Sequence, residues 1–207
     1  MIENEDVIYE TEFFTVEVLK GEHRNVCKVD YLEMLNHVID GNSIKQLKEL
    51  LPTIKNPVED ISVLLSVKNW RPHLLACGAS VLVDKNQEIV DALWDRFDRT
   101  SWVSPQIAAT LSIVDREFCQ NSIERLKTGV LIKEPDEFQI KINETTVIKN
   151  PKGFMSLLEL LKELYPDSDI FETEEINVMA IEMENKDRDQ SGVVAQRWRK
   201  DLLTVIQ

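Results

Sequence analysis

Apolar positions along the chain change their spacing twice, and each change marks a different kind of element. Residues 7–19, Val-Ile-Tyr-Glu-Thr-Glu-Phe-Phe-Thr-Val-Glu-Val-Leu, are rich in β-branched and aromatic types and partly alternate, which predicts one strand or a hairpin. From Asp30 the period becomes helical. Leu32, Leu35 and Ile39 share a face, Asp30 with Glu33 forms a capping box, and Gly41 offers the stop. Ser43 with Gln46 opens a second helix that carries Ile44, Leu47, Leu50 and Leu51, and Pro52 limits it. Asn56-Pro57-Val58-Glu59 then supplies an N-cap, a proline at the first helical position and an acid in the first turn of a helix with Ile61, Leu64 and Leu65.

The next two stretches read as copies of one unit. Trp70-Arg71-Pro72-His73 and Trp102-Val103-Ser104-Pro105 each open an apolar run; Pro72 matches Pro105, Ala76 matches Ala109 and Val81 matches Val114. The same register pairs Val90 with Ile123 and Leu93 with Leu126. In the first copy a helix from Pro72 to about Val83 is followed by a partner opened by Asp84 and Gln87, carrying Ile89, Leu93, Trp94 and Phe97. In the second, Ser104-Pro105 caps one helix, and its partner carries Phe118, Ser122 and Leu126 and ends at Gly129. Residues 43–129 thus form three helix pairs with short turns, and such pairs bury both faces only by stacking.

On these residues the chain resembles the HEAT-like class of helical repeats, antiparallel helix pairs with a proline near the start of the first helix. The unit is shorter than the roughly 40–47 residues usual for that class and lacks the ankyrin and tetratricopeptide consensus residues. The resemblance implies a scaffold or binding role on a concave surface, and no catalytic residue.

Beyond Gly129 the pattern changes again. Phe138, Ile140 and Ile142 alternate with polar residues and Thr145-Thr146-Val147-Ile148 is β-rich, so a hairpin is expected at 137–149, paired with the N-terminal strand. A helix bearing Phe154, Leu157, Leu158 and Leu161 ends before Pro166. Thr173-Glu174-Glu175 starts another toward Met183, although Ile176, Val178 and Ala180 also alternate as in a strand. A last helix bears Val194, Trp198, Leu202 and Ile206. The expected fold is therefore mainly α, a HEAT-like α-solenoid of stacked antiparallel helix pairs with a small β element. Its parts are an N-terminal strand and helix (1–42), the repeat array (43–129) and, past a soft boundary at 130–136, a β-hairpin with an acidic helical segment (137–207), packed as one compact unit.

Charge narrows the function classes. The formal charge is −13 over 207 residues, and a polyanionic surface repels nucleic-acid phosphates and anionic lipids. Residues 159–189 hold eleven acids against Lys162, Lys186 and Arg188. That stretch reads either as a solubilising surface or as a face for a basic partner. No apolar run reaches the roughly 18 residues that cross a bilayer, and the acidic start is unlike a secretory signal, so a cytoplasmic protein with reduced Cys27, Cys77 and Cys119 is expected.

Candidate chemistry is sparse. Asp187-Arg188-Asp189-Gln190-Ser191-Gly192 copies six positions of an EF-hand loop, but position nine is Ala195 and position twelve is Trp198 where a bidentate Glu is needed. A solvated turn capped by Ser191 is the expectation. His23, Cys27 and His37 match no zinc spacing, and no phosphate-loop, dinucleotide, nucleophile-elbow or zincin motif occurs. No catalytic residue, cofactor or metal is therefore expected, and His73 reads as a partly exposed helix residue. Trp70 and Trp102 recur at one point of the repeat, which favours core residues at the junction between helix pairs. The other reading makes them exposed anchors ringed by Arg71 and Arg99. The function these features suggest is a non-catalytic protein-binding module, most concretely an immunity-type inhibitor of a basic toxin. Its candidate contact residues are Trp70, Arg71, Trp102, Glu172, Glu174, Glu175, Glu182 and Glu184. An adaptor subunit of a larger assembly and a carboxylate- or metal-dependent enzyme are the competing classes.

Overall fold

The computed structural model describes residues 11, 13–19, 22–35, 41–135, 140, 141, 143 and 145–206, with backbone alone at 14–19 and 22–26. The chain is mainly α. It begins with an antiparallel hairpin of β1 (Phe14–Leu19) and β2 (Glu22–Cys27), in a register pairing Phe14 with Cys27 and Leu19 with Glu22. The expected strand thus lies in the second half of 7–19; residues 7–10 are outside the described residues. Its partner is β2, whose polar Glu-His-Arg-Asn carries no strand pattern, because main-chain pairing does not depend on side-chain alternation.

Nine α-helices follow among the described residues: α1 (Asn42–Leu50), α2 (Pro57–Ser66), α3 (Trp70–Ser80), α4 (Gln87–Asp98), α5 (Ser104–Val114), α6 (Phe118–Thr128), α7 (Pro151–Leu164), α8 (Glu174–Lys186) and α9 (Ser191–Ile206). Prolines at the first or second position start α2, α5 and α7, where a missing N–H costs nothing. Gly129, with φ of 80°, ends α6 as its sequence position predicts. The alternating reading of Ile176–Ala180 gives way to helix: Ile176 and Met183 turn inward a whole number of turns apart.

None of the three predicted capping boxes closes: Asp30 caps the Leu32 N–H, but Glu33 does not return the bond to Asp30. Ser43 Oγ donates instead to the Asp30 carbonyl (2.6 Å) and Glu33 (2.9 Å), and Gln46 accepts from the Asp30 N–H (2.9 Å), so this pair ties α1 to the preceding 3₁₀ turn at Tyr31–Met34. That short turn stands where a longer helix was expected; residues 36–40, including Ile39, lie outside the described residues. Asp84 cedes its cap to Asn86, which accepts from Glu88 N–H at 2.8 Å. The hairpin expected at 137–149 is also corrected. Its described residues Ile140, Lys141 and Asn143 are helical, and only Lys149 bridges, to Leu131. Main-chain bonds from Ile132 to Ile148 and from Lys133 to Asp98 strap this segment across the end of α4.

Of the matched positions, Ala76 and Ala109, and Leu93 and Leu126, are all wholly buried, whereas Val90 and Val114 are buried and their counterparts Ile123 and Val81 only partly so. Pro72–Ser80 and Ser104–Leu111 are buried on every side, which makes α3 and α5 central helices. Small residues permit this: a Cβ at Gly78 would stand 2.7 Å from a Leu47 methyl of α1. The helix α9 packs on α5 and α7 and reaches the beginning of the fold, where Trp198 Nε1 donates to the Met34 carbonyl at 2.8 Å. One hydrophobic core therefore runs from Phe13 to Leu202.

Candidate functional site

The connection between α4 and α5 builds the most distinctive surface. Thr100 holds φ of 63°, a left-handed conformation that a β-branched residue adopts only under constraint, and it delivers Ser101 and Trp102 to the mouth of a cleft. The cleft has a volume of about 890 Å³ and is lined by Ser66, Lys68, Asp95, Arg96, Arg99 and Thr100, then by Ser101, Trp102, Glu134 and Lys152.

Its floor is a fixed polar network. His73, expected to be partly exposed, is only 1% exposed because the whole of Pro72–Ser80 is enclosed. Its Nε2–H donates to the Val67 carbonyl at 2.9 Å, and the Ser101 hydroxyl donates to Nδ1 at 2.8 Å. Burial, with Arg96 nearby, lowers the His73 pKa to about 4 although the Val67 carbonyl opposes it, so the ring is neutral at pH 7. Such a weak base does little to activate a hydroxyl. The Ser101–His73 pair is accordingly a positioning device that holds the turn before α5. The same Val67 carbonyl accepts from Arg96 Nη1 at 3.0 Å. Burial, and then Arg99, push the Arg96 guanidinium below the ordinary arginine value. Asp95 accepts from Lys133 (2.7 Å) and Arg99 (2.8 Å), bonds that outweigh its burial and hold its carboxyl below the usual range. Arg99 also pairs with Glu134.

Over this floor lies an aromatic ladder. Trp102, against the core expectation, is 55% exposed, and its ring centroid sits 4.8 Å from that of half-buried Trp70. Tyr31 meets Trp70 edge-on at 6.5 Å, Arg71 lies 4.8 Å above Trp70, and Lys152 lies 5.8 Å above Trp102. The junction between the helix pairs is closed instead by smaller side chains such as Val103 and Ile107, which leaves the Trp102 ring outside. Trp70, Arg71 and Trp102 thus lie side by side.

No family model, curated protein or solved structure matches this chain. Its function must therefore be argued from its own surfaces.

The acidic candidates occupy a different element. Glu174, Glu175, Glu182 and Glu184 lie on α8, and Glu172 in the 3₁₀ turn before it. Glu182 bonds Lys186 (2.8 Å) and Lys149 (3.2 Å), and these bonds hold its carboxyl below the usual value. On the outer side of α8, Val178 and Ile181 are 61% and 65% exposed. Ile176, from the alternation that suggested a strand, is buried, while Val178 and Ile181 are three residues apart on one helical face.

The EF-hand-like loop is a turn. Asp187 accepts from Ser191 N–H (2.7 Å) and Ser191 Oγ (2.8 Å), so its carboxylate caps α9 in place of the predicted serine cap. Among the described residues no group of three His, Cys, Asp or Glu is placed to hold a metal. His37 and the side chain of His23 lie outside the described residues. Cys27, Cys77 and Cys119 are free thiols, and burial raises Cys77 to about 12. No described helix is long and apolar enough to cross a membrane.

Proposed function

We propose that the chain is a non-catalytic, cytoplasmic protein-binding module that docks a basic partner on the outer face of α8, most concretely as an immunity-type inhibitor of a basic toxin. The observation that carries this reading is the pair Val178 and Ile181, more than half exposed on a helix otherwise rich in acids. Two exposed β-branched side chains supply apolar contact, and Glu172, Glu174, Glu175, Glu182 and Glu184 around them supply the charge that steers and orients a cationic surface. The formal charge of −13 adds long-range attraction to the same kind of partner. Stacking of α2 to α6 as HEAT-like pairs belongs to this reading: it makes a rigid scaffold on which α8 is a displayed edge. Trp70, Arg71 and Trp102 form a separate surface whose local charge is positive, so they fall outside the docking face.

The test is photo-crosslinking in cells from position 178 or 181, compared with exposed Lys127 on α6. A basic protein captured from α8 alone, lost on Ile181→Lys and weakened by salt, is the expected result. Equal capture from position 127, or an acidic or salt-indifferent partner, would contradict the reading.

A further inference from the structure

Two arginines in this chain solve the same problem differently. Arg125 and Arg96 each donate Nη1 to a backbone carbonyl, that of Asn121 at 3.1 Å and that of Val67 at 3.0 Å. In Arg125 the remaining edge grips both oxygens of Asp98, Nε at 2.7 Å and Nη2 at 2.9 Å. Arg96 is only 7% exposed, yet its Nε has no hydrogen-bond partner, and no carboxylate pairs with it among the described residues. A buried guanidinium stays charged, and leaving its donors unmatched is unfavourable. Arg96 borders the cleft beside Trp102 with its Nε enclosed in the wall, so a ligand there meets the charge of the guanidinium. An unpaired guanidinium charge in the wall of a cleft favours an anionic ligand.

Counting charges narrows the anion. The cleft is lined by Lys68, Arg96, Arg99 and Lys152 against Asp95 and Glu134. Asp95 is taken by Arg99 and Lys133, Glu134 by Arg99, and Lys152 by Asp189. Arg96 and Lys68 remain without an ion pair among the described residues. Two free cations match a phosphomonoester, which carries a charge of about −1.5 to −2 at pH 7, better than a single carboxylate. The cleft's about 890 Å³ lies in the range of small-molecule sites. Its one large apolar wall is the Trp102 ring, propped by Trp70 and more than half open, the kind of surface on which flat heterocycles stack.

We propose that this cleft binds a small phosphomonoester joined to a planar ring, with a nucleoside monophosphate as the plainest member of the class. The uncompensated charge of Arg96 draws the phosphate, Lys68 balances its second charge and Trp102 stacks on the ring. The site is independent of the docking face on α8.

Titration of the ¹⁵N-labelled full chain with 5′-AMP, inorganic phosphate and adenosine tests this by NMR. The Arg96 Nε–Hε signal is expected to move saturably with 5′-AMP and with phosphate, while that of Arg125 stays fixed. The Trp102 indole signal should move with 5′-AMP and adenosine. Lys68→Gln, a change at an exposed position, should weaken phosphate and 5′-AMP roughly three- to tenfold. Trp102→Ala should weaken 5′-AMP and leave phosphate unchanged. The proposal is overturned if the Arg96 signal is still at up to about 10 mM ligand, far weaker than ordinary small-molecule affinity. It is equally overturned if Lys68→Gln changes nothing, or if the ring adds no affinity over phosphate.

Discussion

Trp94 and Trp102 flank the same turn and meet opposite fates. Trp94, on α4, is 5% exposed; its indole N–H donates to Asp115 at 2.8 Å, Phe118 stacks at 6.2 Å, Phe97 meets it edge-on at 5.6 Å, and Arg125 covers it at 3.9 Å. Arg125 is in turn locked by Asp98, so ring, cation and anion close into a finished unit. Trp102 has a neighbouring ring and a cation too, but more than half its surface faces solvent, and the nearby Arg96 has no anion. The same residue types thus build a closed joint between α4 and α6 and an unfinished one between α4 and α5. Closed joints serve the fold; an unfinished joint held by fixed neighbours is preorganised for something from outside.

This contrast is open to attack at four points. Trp94→Ala should cost most, about 3–5 kcal/mol, because it removes a buried ring on which Phe97, Phe118 and Arg125 pack; the shift of the urea midpoint measures it. Next is the pH dependence of the floor beneath the open joint. His73 has its pKa lowered from 6.5 to about 4, so the unfolded chain binds the extra proton first. Its contribution to stability is complete above pH 6.5 and is lost as pH falls toward 4, a decline of about 1.4 kcal/mol per unit and roughly 3 kcal/mol in all. His73→Asn, which does not titrate there, should flatten that part of the stability profile. Third, Asp98→Ala opens the edge of Arg125 and should cost about 1.5–3 kcal/mol, moderated by the pair's side-chain exposures of 22% and 26%. Trp102→Ala should cost least, about 1–2 kcal/mol, since more than half of its surface stays in water on folding.

Much of the helical framework was readable from residues with strong local rules. Pro57, Pro105 and Pro151 mark helix starts, Gly129 marks an end, and the matched alanines and leucines of the two units mark their buried faces. The central position of α3 was also legible in principle: an apolar run on all sides of Leu74–Ala79 implies that His73 within it is enclosed. What sequence could not supply was partners distant along the chain. Ser43 and Gln46 satisfy the local pattern of a capping box, yet tertiary contact with Asp30 outcompetes it. Arg96 and Arg99 look alike on an exposed-seeming helix, and only the approach of Val67 to one and Glu134 to the other separates a buried cation from a paired one. Trp70 and Trp102 open similar stretches of sequence, yet one is half-buried and the other 55% exposed.

Thermal unfolding of the wild type and of Trp102→Ala, each with and without millimolar 5′-AMP, tests the central contrast most directly. The expected result is a variant that melts only a few degrees lower without ligand, and a ligand-induced rise in the wild type that is much reduced in the variant. A variant that unfolds far earlier on its own, or that gains as much from 5′-AMP as the wild type, would contradict it: Trp102 would then belong to the fold as Trp94 does, or have no part in binding.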